Sequence, residues 1–140
     1  MPNKIVGYTA GSFDLFHIGH VNILRNAKSM CDHLIVGVTT DELTLKYKNK
    51  KSIMPYEQRV EIVKACKYVD EIFAEEHLNK FETWQKLKFD VMFVGDDWFG
   101  TEKWKEIEVQ LNQVGVKIIY FPYTKNVSST LIKEILKKSK

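Results

Sequence analysis

Two histidines three residues apart follow the first apolar run of the chain. His17 and His20 lie in the segment GSFDLFHIGH, residues 11–20, with Gly19 between them. On helical geometry residues three apart lie on the same side, and Gly19 leaves the backbone open to a ligand. Imidazole N–H groups beside the unpaired amides of a helix N-terminus suit a polyphosphate that gains charge in a transition state. The pair therefore predicts phosphoryl-group chemistry.

A metal site and a dinucleotide site are the alternatives for this segment. Zinc proteases use the pattern HExxH, whereas no third metal ligand stands near His17 and His20 in the sequence. The glycines do not follow GxGxxG, and the chain contains no GK[ST] phosphate loop. We therefore favour a phosphate site and assign no metal ligands.

A run of lysines, LKYKNKKS at residues 45–52, is the second basic feature. It follows the second predicted strand, so we expect it to overhang the same edge of the sheet as the histidines. A flexible basic loop at that edge would close over bound phosphates and exclude water. A solvated charge run is the alternative interpretation.

Apolar runs alternate with helical periodicities along the whole chain. The pattern predicts strands at residues 5–9, 33–39, 71–74, 91–94 and 116–121, and helices at 21–30, 55–66, 79–87, 101–113 and from 129 or 130 onward. This alternation indicates one α/β domain over residues 1–140, an open parallel sheet with helices on both faces. Ligands of such folds bind at the carboxyl ends of the strands, and the loops after strands one, two, four and five meet there.

Composition narrows the possible classes of protein. The 140 residues are 44% apolar and 28% charged, which excludes a disordered chain or a coiled coil. A net charge of +3 suits an anionic ligand but is small for a nucleic-acid binder. The sequence has no apolar run of about 18 residues and no signal-peptide core, and Cys31 and Cys66 form no CxxC motif. We expect a cytoplasmic protein with no membrane or nucleic-acid partner.

The segment at residues 11–20 resembles the signature of the HxGH nucleotidyltransferase superfamily, and its FDLFH spelling resembles the cytidylyltransferases. Pantetheine-phosphate and nicotinamide-mononucleotide adenylyltransferases typically carry proline where this chain has Leu15. The resemblance continues through TDEL (40–43), YEQR (56–59), YVDE (68–71), GDDW (95–98) and VSST (127–130). It covers nearly the whole chain and is greatest to the small bacterial glycerol-3-phosphate cytidylyltransferases, which implies a Rossmann-like fold. A class I aminoacyl-tRNA synthetase, which shares the motif, does not fit in 140 residues.

The resemblance implies transfer of a nucleotidyl group from CTP to a small phosphomonoester, with glycerol 3-phosphate favoured. The products would be a CDP-linked compound, a precursor for cell-surface polysaccharide, and pyrophosphate, with Mg²⁺ as cofactor. No protein nucleophile is needed, because the acceptor phosphate is already an anion. His17 and His20 would act on the α-phosphoryl and bridging oxygens. Lys48 would hold the acceptor phosphate as a third catalytic residue, and Lys50 the nucleotide.

The resemblance also implies further contacts and an assembly. The nucleotide contacts are Ser12, Phe13, His17, Gly19, His20, Lys50, Asp96, Thr124, Ser128, Ser129 and Thr130. The acceptor contacts are Lys48, Arg59, Trp98 and Lys80. For Arg59, a contact with a partner subunit or a surface salt bridge is the alternative. The YVDE segment implies a homodimer.

One position departs from the family pattern. The family carries arginine where this chain has Tyr123, and tyrosine cannot make the bidentate phosphate contact of an arginine. Either Lys125 restores the charge, or the pocket is adapted to another nucleotide or acceptor.

Other substrates and another class of function stay open. Phosphocholine, phosphoethanolamine or another small phosphorylated metabolite is the first alternative acceptor. A cationic head group predicts aromatic rings and carboxylates around it, for which Trp98, Trp104, Asp96 and Asp97 are candidates. An ATP-using adenylyltransferase is the second enzyme hypothesis. A nucleotide- or nucleic-acid-binding module is the non-enzyme hypothesis, and nucleic-acid affinity would fall steeply with salt.

Overall fold

The computed structural model of the chain describes residues 4–48, 52–95 and 100–122. These residues form five strands and five helices, which alternate except that two helices lie between the second and third strands. The strands are β1 (Val6–Gly11), β2 (His33–Thr39), β3 (Glu71–Glu75), β4 (Val91–Gly95) and β5 (Lys117–Phe121). The helices are α1 (Ile18–Ser29), α2 (Asp41–Lys48), α3 (Tyr56–Lys64), α4 (Lys80–Leu87) and α5 (Glu102–Asn112). The predicted final helix lies outside the described residues.

The strands form one parallel sheet in the order β3-β2-β1-β4-β5. The central strand is β1, where Tyr8 pairs with Ile35 of β2 and with Met92 of β4. The strand order reverses between β1 and β4, because the chain builds outward to β3 and then returns beside β1. Parallel sheets bind ligands in the crevice at such a reversal. The predicted open parallel sheet is confirmed.

Each face of the sheet carries its own core. Successive residues of a strand point to opposite faces, so neighbours in β2 and β4 enter different cores. Helices α1 and α3 cover one face, packing Leu24, Ala27 and Val63 against Leu34, Val36, Val38 and Phe93. Helices α4 and α5 cover the other, packing Phe81, Trp84, Trp104, Ile107 and Leu111 against Tyr8, Ile35 and Met92. Helices therefore cover both faces, as the sequence predicted.

The segment after β2 differs from the prediction. We expected a loop over residues 40–52, and the structure instead has α2 over Asp41–Lys48. The Thr40 hydroxyl accepts a hydrogen bond from the Leu43 N–H at 3.2 Å, and Asp41 and Glu42 lie in the first turn. Both features stabilise a helix N-terminus. The predicted loop is therefore wrong over residues 41–48, because the polar residues there belong to a capped helix.

Elsewhere the observed helix boundaries differ from the predicted ones by a few residues. Helix α1 begins at Ile18 rather than at residue 21, because His17 caps it. Thr101 caps α5 as expected, accepting from the Trp104 N–H at 3.4 Å, and Gly115 follows that helix with a φ of +86°. None of the helices in the described part of the chain is long and apolar enough to span a membrane.

Candidate active site

His17 and His20 hold each other's backbone at the start of α1. His17 is the N-cap and its Nδ1 accepts a hydrogen bond from the Gly19 N–H, while the Nδ1 of His20 accepts from the His17 N–H, each at 3.0 Å. The two rings stack with their centroids 3.9 Å apart. Because both Nδ1 atoms accept hydrogen bonds, each neutral ring carries its proton on Nε2. The site therefore offers two imidazole Nε2–H donors at a helix N-terminus.

Burial keeps these rings uncharged near neutral pH. Desolvation lowers the pKa of His17 from its ordinary value. Desolvation also lowers the pKa of His20 to about 4, with a further lowering from His17 and a smaller opposing effect of Asp14. His20 packs against the rings of Phe16, at 5.2 Å, and Phe13, at 5.4 Å. The histidines thus act as hydrogen-bond donors rather than as fixed cations before a ligand binds.

The loop that leads into α1 is held in a conformation that few residues adopt. Phe13 and Leu15 have φ values of +54° and +51°, in the left-handed region. Proline, whose ring holds φ near −65°, cannot occupy position 15 in this conformation. A residue other than proline at position 15 is therefore a backbone requirement of this loop.

Asp14 ties this loop to the far end of the lysine-rich segment. Its carboxylate is 3% exposed and accepts hydrogen bonds from the Ile53 and Met54 N–H groups, both at 2.9 Å. On the other side of that segment, α2 begins at Asp41, whose carboxylate accepts from the Tyr56 N–H at 3.1 Å. The chain between residues 41 and 54 is therefore anchored at both ends beside the histidines.

Arg59 of α3 joins these anchors. Its guanidinium is completely buried and donates to the carbonyls of Met54, Ser12 and Thr39 at 2.7–3.0 Å and to the Asp41 carboxylate at 2.6 Å. This burial rules out the surface salt bridge. We expected Arg59 to contact the acceptor; in the structure its hydrogen bonds go to the protein itself, and the acceptor contact stays a prediction. Arg59 positions the histidine loop against the lysine segment.

A cavity of about 380 Å³ opens beside His20 at the carboxyl ends of the strands. It passes between the sheet and helices α4 and α5, at the reversal of strand order. Ser12, Phe13, His20, Lys80 and Trp104 are the sequence-predicted residues that line it. Residues that sequence reasoning did not select also line it, among them Thr9, Thr39, Glu75, Leu78, Met92, Val94, Lys103 and Ile107.

Other predicted site residues either do not line this cavity or lie outside the described ranges. Lys48 is the last residue of α2, and Gly19 is buried in the first turn of α1. The predicted residues that fall outside the described ranges are Lys50, Asp96, Asp97, Trp98, Thr124, Ser128, Ser129 and Thr130. Their roles stay predictions.

Comparison with known proteins identifies the family to which the chain belongs. The family described as cytidylyltransferase-like matches residues 8–135. The chain belongs to this cytidylyltransferase-like family. Its membership confirms the resemblance drawn from the sequence and makes the chain a nucleotidyltransferase.

Individual relatives of this cytidylyltransferase-like chain agree with the assignment. It is 36% identical over 138 residues to glycerol-3-phosphate cytidylyltransferase of Bacillus subtilis (strain 168), covering 94% of this chain and 95% of that protein. It is 34% identical over 122 residues to an FAD synthase of Thermococcus kodakarensis, covering 86% and 81%. The crystal structure of a lipopolysaccharide core biosynthesis protein from Thermoplasma volcanium is 25% identical, with a TM-score of 0.73 over 89% of this chain and all of that one.

The pH behaviour of His20 tests the hydrogen-bonding scheme. Its folded pKa of about 4 lies below the value of 6.5 expected when unfolded, so the unfolded chain binds the proton first as the pH falls. This contribution to stability is unchanged above pH 6.5 and is lost progressively toward pH 4. Nitrogen-resolved NMR of the histidine rings is expected to show Nε2–H tautomers for both and a His20 midpoint near pH 4. A midpoint at 6 or above would contradict the scheme.

Replacement of Arg59 distinguishes positioning from substrate contact. Arg59→Lys cannot reproduce the four hydrogen bonds of the guanidinium, so we expect a loss of about 1–3 kcal/mol in unfolding free energy. We also expect kcat to fall at least tenfold, because the histidine loop and the lysine segment lose their common anchor. Urea unfolding measures the change in stability, and steady-state kinetics measures the change in kcat.

Arg25→Lys, on the exposed face of α1, is the matched control and is expected to change stability by less than about 0.5 kcal/mol. A stable Arg59→Lys protein with only a raised acceptor KM would instead indicate a substrate contact.

Proposed function

We propose that this protein joins CTP to a small phosphomonoester, giving a CDP-linked product and pyrophosphate. The observation that carries the proposal is the stacked histidine pair, with an Nε2–H on each ring, at the N-terminus of α1 and at the edge where the strand order reverses. Uncharged donors of fixed orientation suit an α-phosphoryl group, because they bind its developing charge without first reorganising.

The proposed reaction is an in-line displacement at phosphorus. An oxygen of the acceptor phosphate attacks the α-phosphorus of CTP and forms the new P–O bond. The bond from the α-phosphorus to the α–β bridging oxygen breaks, and its electron pair leaves with pyrophosphate. Two anions must meet for this to happen, so the protein's task is to bring them together and neutralise their charge.

The lysine-rich segment is the proposed source of that positive charge. Asp14, Asp41 and Arg59 hold its two ends beside the histidine loop, as described above. Lys48 is proposed to bind the acceptor phosphate and Lys50 the nucleotide. A segment anchored at both ends delivers charge to one place at less entropic cost than a free chain.

Mg²⁺ is the proposed cofactor and would arrive with the triphosphate. Proteins usually hold such Mg²⁺ with one or two carboxylates together with substrate phosphates. Across residues 4–48, 52–95 and 100–122, no group of three or more His, Cys, Asp or Glu side chains is placed to cage a metal. Asp96 and Asp97, directly after β4 in sequence, are the carboxylates available to it. The ion would neutralise charge on the phosphates.

Glycerol 3-phosphate is the proposed acceptor, for a precursor of cell-surface polysaccharide. Its support is the set of glycerol-3-phosphate cytidylyltransferases that match nearly their full length at 36–38% identity. A homodimer is proposed from the YVDE segment, which leads into β3 at one edge of the sheet. The FAD synthase relatives at 34–36% identity favour a second candidate, an adenylyltransferase that uses ATP.

A panel of substrates tests the reaction and separates the two candidates. The protein is incubated with Mg²⁺, each of the four nucleoside triphosphates and each of a set of phosphomonoesters that includes glycerol 3-phosphate and FMN. Pyrophosphate release is followed, and the product is identified by mass. We expect CDP-glycerol as the main product. Product formation only with ATP and FMN would favour the adenylyltransferase, and no pyrophosphate release from any pair would overturn nucleotidyl transfer.

Removal of a histidine donor tests the mechanism. His17→Asn keeps a side-chain oxygen for the helix N-cap but removes the Nε2–H, so turnover is expected to fall about 10²–10³-fold with a smaller change in CTP affinity. Steady-state kinetics and calorimetric CTP binding measure the two effects. His33→Asn is the control, because His33 pairs with Glu71 at the opposite end of the sheet. Near-normal turnover of His17→Asn would contradict the proposed role.

A further inference from the structure

A buried ion pair forms part of the cavity wall. Lys80, the first residue of α4, lies 2.6 Å from the Oε2 atom of Glu75, the last residue of β3. The two side chains are only 9% and 4% exposed. Both residues line the cavity that His20 also lines.

Further hydrogen bonds hold Glu75 in place. The Tyr8 hydroxyl donates to its Oε2 atom at 3.2 Å, and the Thr39 hydroxyl donates to its Oε1 atom at 3.3 Å. Tyr8 is fully buried and stacks on Phe89, with the ring centroids 5.0 Å apart. Burial and the Glu75 carboxylate raise the pKa of Tyr8, so its hydroxyl stays a donor. Four elements of the fold thereby fix one carboxylate.

Gly37 provides the space that this arrangement needs. A Cβ at position 37 would lie 2.1 Å from the Tyr8 hydroxyl oxygen. The tyrosine therefore crosses β2 at the one point where the strand has no side chain, and reaches Glu75 beyond it. This geometry indicates that the ion pair is built into the sheet rather than formed by mobile surface groups.

The ion pair determines the charge of the cavity. Among the described residues that line it, Glu75 is the only carboxylate, and Lys80 neutralises it. Lys103 adds a further positive charge, and Leu78, Met92, Val94, Trp104 and Ile107 are apolar. A cationic head group needs an unpaired carboxylate or an open aromatic face, and like charges placed together repel each other.

We propose that the Glu75–Lys80 pair determines acceptor specificity by excluding phosphomonoesters that carry a cationic head group. The acceptor is accordingly a phosphomonoester whose remaining part is uncharged, such as a polyol phosphate. This inference rests on the proposed nucleotidyl transfer. It goes beyond it by assigning the choice between polyol and amino-alcohol phosphates to a single ion pair.

Removal of Lys80 is the direct test. Lys80→Met leaves the Glu75 carboxylate unpaired at the cavity, so selectivity is expected to shift toward cations. The measurement is kcat/KM with CTP for glycerol 3-phosphate, phosphocholine and phosphoethanolamine. The wild-type protein is expected to prefer glycerol 3-phosphate by about 100-fold or more, and Lys80→Met to shift this ratio toward phosphocholine by about tenfold or more.

Two controls separate this effect from a change in net charge. Lys103→Met removes a positive charge from the same cavity without exposing a carboxylate, and is expected to change the ratio less than about threefold. The double variant Glu75→Gln with Lys80→Met removes both charges and is expected to cancel the shift. If Lys80→Met does not fold, Glu75→Gln serves instead. It leaves Lys80 unpaired, so discrimination against phosphocholine is expected to increase and 3-phosphoglycerate, which carries a carboxylate, to become a better acceptor.

The outcomes distinguish this inference from the proposed function. Equal use of phosphocholine and glycerol 3-phosphate by the wild-type protein would overturn the inference and leave nucleotidyl transfer intact. An unchanged ratio in both Lys80→Met and Glu75→Gln would also overturn it. Pyrophosphate release from no pair of substrates would overturn the proposed function, and the inference with it.

Discussion

The reciprocal hydrogen bonds of His17 and His20 are the interaction on which the site depends. Each imidazole accepts a backbone N–H from the turn that carries the other. The same contacts start α1, select the Nε2–H tautomer and bring the rings into stacking contact. The same hydrogen bonds therefore start the helix and orient the two Nε2–H donors. A variant that loses these hydrogen bonds is expected to disturb both.

Two buried charged side chains, Asp14 and Arg59, hold the histidine loop in place against the neighbouring segments. The Arg59 guanidinium and the Asp14 carboxylate bond mainly to backbone groups of the loops around the histidines. A buried charge without partners is very costly, whereas these charges have partners from several segments. The cost of separating any one segment is accordingly high, which holds the loops together.

The Glu75–Lys80 pair is held by buried partners in a comparable way. The pair joins β3 to α4, hydroxyls of β1 and β2 donate to its carboxylate, and its charges cancel within the cavity wall. The wall is therefore polar enough to bind hydroxyl groups, yet has no unpaired negative charge among its described residues. Of the two tryptophans predicted for a cationic acceptor, Trp104 lines the same cavity but is 7% exposed and packs in the core, and Trp98 lies outside the described residues.

Much of the fold was predictable from the sequence. The β-branched run of β2, His33–Thr39, matched residue for residue, because a strand buried on both faces is apolar at nearly every position. Helix α2 was missed, because its polar and lysine-rich residues resemble a loop unless the Thr40 cap is recognised. The HxGH pattern drew attention to the two histidines. Their three-residue spacing correctly predicted that both rings lie on the same side at the start of α1.

Interactions between distant residues account for what could not be predicted. Tyr8 meets Glu75 across 67 residues and Arg59 meets Ser12 across 47, so no local pattern indicates either contact. A tyrosine in an apolar strand is indistinguishable from ordinary core, and an arginine on a helix from an ordinary surface residue. Residue order was enough to place the two histidines together because their contacts are local to one helix turn. The folded sheet alone brought the buried charges together, because parallel strands juxtapose residues far apart in the chain.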